Sequence, residues 1–297
     1  PQVHLTSPPS PASCIMKNKI IKVSVDAHKC RHCRRCVEVC PASVLGWTEE
    51  RMPRLQHASQ CIGCGHCMDV CESDALHHSL FPAGQVHTVR RDILPTPESM
   101  MELLRARRSN RTLTNCPIPP EMLRDLLEAA RYAPTAENTR RVRVTVLEGD
   151  QIRELEGVVM RFFLRLASVL MARPMRPITR MLLPDLYGEA PELERFRQRW
   201  ESGELPCCCN APCVLVFSAP AGYDFAWQDC NLAYQNVSLM AETHGLSQIY
   251  LGLVQTALRF MPRRKVSRLL GLPKGHVPRA YMAIGIPRFL YPRYTER

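Results

Sequence analysis

The sequence predicts an α+β protein in two unequal parts, and three observations carry that expectation. Two cysteine runs of identical spacing crowd into residues 30–71. Pro95 and Pro97 then break the chain. Beyond them, helical and strand patterns follow one another to the end of the sequence.

The first run reads CRHCRRCVEVC, with thiols at Cys30, Cys33, Cys36 and Cys40. The second reads CIGCGHCMDVC, with thiols at Cys61, Cys64, Cys67 and Cys71. Each cysteine of the first run precedes its counterpart by 31 residues, which marks an internal duplication. Thiolates are soft ligands that select zinc, copper(I) or iron–sulfur clusters. Structural zinc sites usually pair two C-x2-C units across a longer loop. Three thiols in one C-x2-C-x2-C run instead let a tight loop wrap three corners of a cube. Zinc and a disulfide framework are the competing readings of the same residues.

Over roughly residues 20–85 the chain resembles the two-cluster bacterial ferredoxins, in which the fourth thiol of each run crosses to the other cluster. That resemblance implies two 4Fe–4S clusters. Cys30, Cys33, Cys36 and Cys71 would hold one, and Cys61, Cys64, Cys67 and Cys40 the other. Pro41 follows the first run, but Glu72 stands in the matching place after the second and adds a charge there.

The whole chain has 297 residues, 45% apolar and 23% charged, which suits a globular protein with room for two domains. No apolar run is long enough to cross a membrane. The best candidate, residues 158–171, contains Arg161 and Arg165 and reads as a core or amphipathic helix. The net charge of +11 comes without a basic run interleaved with aromatics. Neither nucleic acid nor a membrane is therefore an expected partner; anionic small molecules or an acidic electron carrier are. Residues 1–19 are expected to be a tail, either disordered or added to a natural start at Met16, and they lack the pattern of a secretory signal. Fifteen cysteines with eight committed to clusters fit a reducing cytoplasm. Eight of the ten histidines precede residue 90. They are read mainly as surface polar residues, with hydrogen bonding to a cluster as the alternative.

Two domains are expected, over residues 20–92 and 93–297, the second carrying a helical insertion at about 150–205. Ser99 is the expected N-cap of a helix reaching about Arg107. The stretch Arg107–Arg111, RRSNR, gathers three arginines and a serine, and the planar guanidinium fork matches phosphate geometry. A solvated basic helix end is the alternative. Helical spacing follows over 120–132, then a turn, then the alternating strand 142–148. The strand 215–220, a helix from about Phe225 to His244 and the strand 279–287 complete the pattern. CCCNAPC at 207–213 suggests a metal site, but adjacent residues of an extended segment point to opposite sides. Cys207, Cys208 and Cys209 are therefore read as structural, and Cys116 and Cys230 as core.

From about residue 100 to 297 the order of these pieces resembles the nitroreductase family of FMN-dependent oxidoreductases, and the whole chain resembles ferredoxin–nitroreductase fusions. The resemblance implies an α+β fold with a mixed sheet flanked by helices, in a homodimer with FMN at the subunit interface. It implies that Arg107, Arg108, Ser109 and Arg111 hold the FMN phosphate and pyrimidine edge. Pro134, Thr135, Ala136 and Asn138 would lie along the isoalloxazine ring. Tyr250, Leu251 and Gly252 would bring a backbone N–H to flavin N5, and Arg293 or Arg288 would reach the phosphate. Where the family has Gln-Pro-Trp after the asparagine, this chain has Arg140, Arg141 and Val142. The implied function is reduction of an electrophilic small molecule (a nitro group, activated alkene or halide), with electrons from a low-potential donor such as ferredoxin. A non-catalytic electron carrier or redox sensor, and an NAD(P)H-dependent enzyme with a structural metal, are the alternatives.

Overall fold

The computed structural model describes residues 21–182, 188 and 190–296, so the expected tail lies outside it. The chain divides into two compact units. One comprises the described chain up to Pro95 together with Thr135–Arg140; the other comprises Thr96–Pro134 and the chain from Arg141 onward.

The first unit is built twice over. Strand β1 (Val23–Val25) precedes helix α1 (Arg35–Glu38) and strands β2 (Leu45–Trp47) and β3 (Pro53–Leu55). Helix α2 (His66–Asp69) and strand β4 (Leu76–His78) follow, each 31 residues beyond α1 and β2. Strand β1 pairs antiparallel with β4, and β2 with β3. Backbone strain repeats at the same interval. His32 and Gly63 take φ of 51° and 59°, Arg34 and Gly65 take 65° and 85°, and Ser43 and Asp74 take 49° and 48°. The second copy places glycine where the left-handed conformation costs least, whereas the first forces His32 and Arg34 into it. Backbone N–H groups reach thiols in parallel places too: Val44 to Cys40 Sγ at 3.2 Å, and Ala75 to Cys71 Sγ at 3.3 Å. The apolar core of this unit centres on Leu45, Met68 and Leu76.

The second unit opens with helix α3 (Pro97–Ala106). Its N-cap is Thr96 rather than Ser99: Thr96 Oγ1 accepts the Ser99 N–H at 3.2 Å, and Pro97 stands in the first turn, where no intrahelical N–H is needed. Helix α4 (Pro120–Arg131), strand β5 (Arg143–Glu148) and helices α5 (Asp150–Leu170), α6 (Arg176–Leu182) and α7 (Ala190–Glu201) follow. Strand β6 (Cys213–Pro220), helix α8 (Ala226–Thr243), strand β7 (Ser247–Tyr250), helices α9 (Gly252–Arg259) and α10 (Arg263–Leu269), and strand β8 (His276–Gly285) complete it. The sheet order is β5-β6-β8-β7, with every named pair antiparallel. An isolated parallel bridge joins Ser109 to Gln248 on the β7 edge. Strand β6 is buried along nearly its whole length, as its apolar run requires of a central strand. Its register with β8 slips between Phe217 and Ser218, opposite Pro278, which has no N–H to offer the ladder.

Helix α5 buries Ile152, Leu155, Val159 and Met160, one face at helical spacing, so the stretch holding Arg161 and Arg165 is a core helix. Among the described residues no helix is long and apolar enough to cross a membrane. Cys207, Cys208 and Cys230 are buried, but Cys116 is exposed, contrary to the sequence expectation. It lies in the irregular connection before α4, away from the periodic positions that fill the core.

Glu156 sits on the buried face of α5 with no exposed surface. Its Oε1 accepts the Cys207 N–H and its Oε2 the Cys208 N–H, both at 2.9 Å. The carboxylate thus satisfies the amides of the short 3₁₀ turn Pro206–Cys208 that leads toward β6. Burial raises the Glu156 carboxyl above its usual range, and the two amides oppose that shift. Burial also pushes the Cys207 and Cys208 thiols up, so they stay protonated and inert.

Two outcomes follow for stability. Arg34→Gly should raise unfolding free energy by about 1 kcal/mol in denaturant melts of the loaded protein, by relieving the left-handed conformation. Glu156→Ala should cost about 3 kcal/mol by stranding two buried amides. The raised carboxyl gives a pH signature. Its stabilising effect is complete below the unfolded carboxylate range and is lost as pH rises through the folded value. The stability advantage of wild type over Glu156→Gln should therefore shrink as pH rises above the ordinary carboxylate range.

Candidate functional site

Within the first unit the eight duplicated thiols gather into two recesses. Cys30, Cys33, Cys36 and Cys71 line one, beside Trp47. Cys40, Cys61, Cys64 and Cys67 line the other, beside His78. Each recess takes three thiols from one run and the fourth from the other. The short helices explain the exchange: Cys40 and Cys71 lie just past the ends of α1 and α2, whose packing carries each thiol across. No disulfide joins any of the fourteen described cysteines.

The thiols crowd one another. Burial first, then Cys64, Cys61 and Cys40, push Cys67 up to about 12. Burial raises Cys36, with Cys71 and Cys33 adding to it. Burial also raises Cys61, with Cys64 and Cys40 adding. Ligation by metal must therefore displace protons. Among the described residues no three His, Cys, Asp or Glu side chains converge to hold a single ion. Four thiols around each recess match the ligand count of a 4Fe–4S cluster.

Glu72, the departure after the second run, does not stand as an isolated charge. It pairs with Arg35 and, at 3.7 Å, with Arg31, so the two repeats are tied at the surface. The histidines are not all surface residues either. His78 is buried on β4, with Nε2 3.4 Å from Cys61 Sγ.

The turn Thr135–Arg140 belongs to this same unit, whereas Pro134 belongs to the other. Glu137, Asn138 and Arg140 all have positive φ. Asn138 Nδ2 donates to the Gly63 carbonyl at 2.7 Å and the Ile62 carbonyl at 3.3 Å, pinning the loop between Cys61 and Cys64. Asn138 Oδ1 accepts from Arg140 Nε at 3.0 Å.

In the second unit the RRSNR stretch leaves α3 and runs along the β7 edge. Arg107 caps the helix, Ser109 bridges Gln248, and the Asn110 N–H donates to the Gln248 carbonyl at 3.0 Å. Asn110, which the sequence reading passed over, is fully buried. Its Oδ1 accepts the Thr112 N–H at 2.9 Å and the Thr112 hydroxyl at 2.8 Å. Gln248 is equally hidden, accepting the Tyr234 hydroxyl and donating to Ser238 Oγ at 2.9 Å. A polar network inside the fold thus fixes the loop, with Arg107 and Arg108 half-buried and Arg111 exposed.

The chain end returns to this loop. Thr114 N–H donates to the Ile286 carbonyl and Arg288 N–H to the Thr112 carbonyl, both at 2.8 Å. Arg108 Nη2 donates to the Arg293 carbonyl at 3.5 Å. Arg107, Arg108 and Arg111 form no ion pair among the described residues, and Arg111 lies toward Cys209. Arg107 and Arg108 instead oppose the rise that burial imposes on the Glu242 carboxyl. Three guanidinium groups around a rigid loop suit a dianionic phosphate.

Tyr250 ends β7, its hydroxyl donating to Gln255 Oε1 at 2.7 Å, with the Arg279 carbonyl at 3.2 Å as the alternative acceptor. The Leu251 N–H is already spent on the Tyr281 carbonyl at 3.0 Å. Gly252 begins α9, so its N–H has no carbonyl one turn earlier to bond. Among the described residues the Gly252 N–H has no backbone acceptor.

Residues 104–286 match the model of the nitroreductase family. The chain belongs to the nitroreductase family. Residues 29–76 of this nitroreductase-family chain match the 4Fe-4S dicluster domain. It is 25% identical to a chloronitrobenzene nitroreductase of Comamonas testosteroni over 185 residues, covering 54% of this chain and 76% of that one. It is 39% identical to a nitrobenzene nitroreductase of Ectopseudomonas oleovorans over 57 residues, 19% of this chain and 25% of that one. The fold also resembles an FMN-bound nitroreductase from Desulfitobacterium hafniense DCB-2, with a TM-score of 0.50, 21% identity, and coverage of 66% and 93% of the two chains.

Asn110→Leu should loosen the basic loop and destabilise the second unit by about 1 kcal/mol, since the Thr112 N–H and hydroxyl lose their buried acceptor. Hydrogen exchange should show the loss at residues 108–114 before it shows in the rest of the sheet.

Proposed function

We propose that this protein is an iron–sulfur flavoprotein oxidoreductase. It would draw single electrons from a low-potential carrier of the ferredoxin type and reduce an electrophilic organic molecule. The observation that carries the reading is the pair of recesses, each lined by three thiols of one run and the fourth of the other, in a nitroreductase-family chain. Cys30, Cys33, Cys36 and Cys71 hold one 4Fe–4S cluster, and Cys61, Cys64, Cys67 and Cys40 the other. When bound, such clusters pass electrons singly, while FMN stores two and can deliver them together.

The residues of the chain supply position and charge. Arg107, Arg108 and Arg111 bind the FMN phosphate from the loop that Asn110 and Gln248 hold still, and Ser109 adds a hydroxyl donor. Arg293 closes the same cradle, which its carbonyl contact with Arg108 supports more directly than any contact of Arg288. Gly252 offers its N–H to the flavin ring, with Tyr250 and Leu251 fixing its place. Exposed Phe225, Trp227 and Leu232 around α8, with Phe289, Leu290 and Tyr291 near the chain end, suit a homodimer in which FMN lies at the subunit interface. Nitro groups are the favoured substrates, because two relatives are named for reducing them. Activated alkenes and halides are the next classes.

Anaerobic reductive titration followed by absorbance and EPR tests the reading. The expected result is about eight irons and one flavin per chain, reduced by a low-potential one-electron donor and reoxidised by a nitroaromatic. Zinc in place of iron, or a reduced protein indifferent to every electrophile, would overturn it. Arg108→Ala should weaken FMN binding at least tenfold by fluorescence titration while leaving the iron content unchanged.

A further inference from the structure

The duplication makes the two thiol sets nearly equivalent, and one side chain breaks the equivalence. Position 47 in the first repeat corresponds to position 78 in the second, by the same interval of 31 that relates Cys30 to Cys61. Trp47 lines the recess of Cys30, and His78 lines the recess of Cys61. The structure records a contact from His78 Nε2 to Cys61 Sγ at 3.4 Å, and none from Trp47 to a thiol among the described residues.

The tautomer of His78 follows from its other nitrogen. The Leu80 backbone N–H donates to His78 Nδ1 at 3.1 Å, so Nδ1 is an acceptor and carries no proton. A neutral imidazole then has its proton on Nε2, the atom aimed at Cys61. The ring is held there by burial to 5% exposure, by pairing of its strand residue with Val23, and by the Phe81 ring at 5.1 Å. It is a fixed N–H donor to one sulfur.

The remaining donors do not restore the balance. Cys71 receives the Ala75 N–H at 3.3 Å, with Ser73 Oγ more distant at 3.7 Å. The other set receives the Val44 N–H at Cys40 and the Gly63 N–H at Cys61, at 3.2 and 3.4 Å, and His78 besides. Arg31, Arg34 and Arg35 line the first recess, but they are more than half exposed and face Glu72 or Glu38, so water, salt and these carboxylates damp their effect.

We infer that His78 is a positioning residue that raises the reduction potential of the cluster held by Cys40, Cys61, Cys64 and Cys67, making it the electron-collecting member of the pair. The inference rests on the two-cluster reading above. Reduction adds one electron from an external low-potential donor to the cluster, moves no proton and breaks no bond. A hydrogen bond aimed at a ligand sulfur stabilises that added negative charge. An electron entering at the first set then runs downhill to the second, whose ligand loop Asn138 holds in place.

The test is an EPR-monitored redox titration of the full chain, anaerobically loaded, as wild type, His78→Phe and His78→Gln. Wild type should show two separate cluster midpoints. In His78→Phe the upper midpoint should fall by roughly tenfold in the reduction equilibrium, about 59 mV for one electron, while the lower stays in place. His78→Gln, which keeps an N–H donor, should stay near wild type. An unmoved upper midpoint, a shift of the lower one instead, or a Gln variant displaced as far as Phe would each overturn the inference. Should the Phe variant lose iron, pulsed EPR of wild type carrying nitrogen-15 histidine decides the matter. One imidazole nitrogen coupled to one cluster supports the assignment, and no coupling refutes it. An iron count far short of about eight in wild type would instead remove the two-cluster reading beneath it.

Discussion

The constraint on which the first unit depends is the gathering of eight thiols in a domain with little else to hold it. Its core centres on Leu45, Met68 and Leu76. A segment this short buries too little apolar surface to offset its chain entropy without staples. The thiols are also poor neighbours when unliganded: burial and mutual repulsion raise Cys36, Cys61 and Cys67. Metal ligation removes both difficulties together, since it deprotonates the sulfurs and ties the repeats across each recess. Loop strain, short helices and backbone N–H···S contacts are all arranged around that requirement.

The second unit solves a different problem by a different means. Its core is large and apolar, yet the residues that fix its loops are buried polar groups. Glu156 serves the turn at Cys207 and Cys208, Asn110 serves the basic loop, and Gln248 joins that loop to Tyr234 and Ser238. Each leaves the neighbouring surface free of structural duty. Arginines 107, 108 and 111 form no ion pair among the described residues, while the backbone beneath them is held from inside.

How much of this was legible in the sequence depended on whether the relevant partners are near in the chain. Ligand spacing is local, so the doubled run announced iron–sulfur chemistry at once; the crossing of Cys40 and Cys71 came through resemblance, because it depends on how α1 and α2 pack. Helices α4, α5 and α8 and strand β6 were readable from periodicity or a continuous apolar run. The N-cap of α3 fell three residues before the expected Ser99, at Thr96, since Thr96, Pro97 and Ser99 all carry start signals. Asn138 reaching Gly63, 75 positions away, had no local signal. Neither did the burial of Glu156, whose partners lie 51 and 52 residues downstream. His78 was one histidine among many until the strand register turned it inward. Cys116 shows the reverse error: hydrophobic character alone does not place a residue inside.

The shared recesses also bear on how such a unit can change over time. Because each pocket borrows one sulfur from the opposite repeat, deleting either repeat opens both pockets at once. Neither copy is a spare that can decay while the other serves. Duplication here created mutual dependence, so the halves must be inherited as a couple. The positions free to drift apart are those, such as 47 and 78, that border the pockets without closing them.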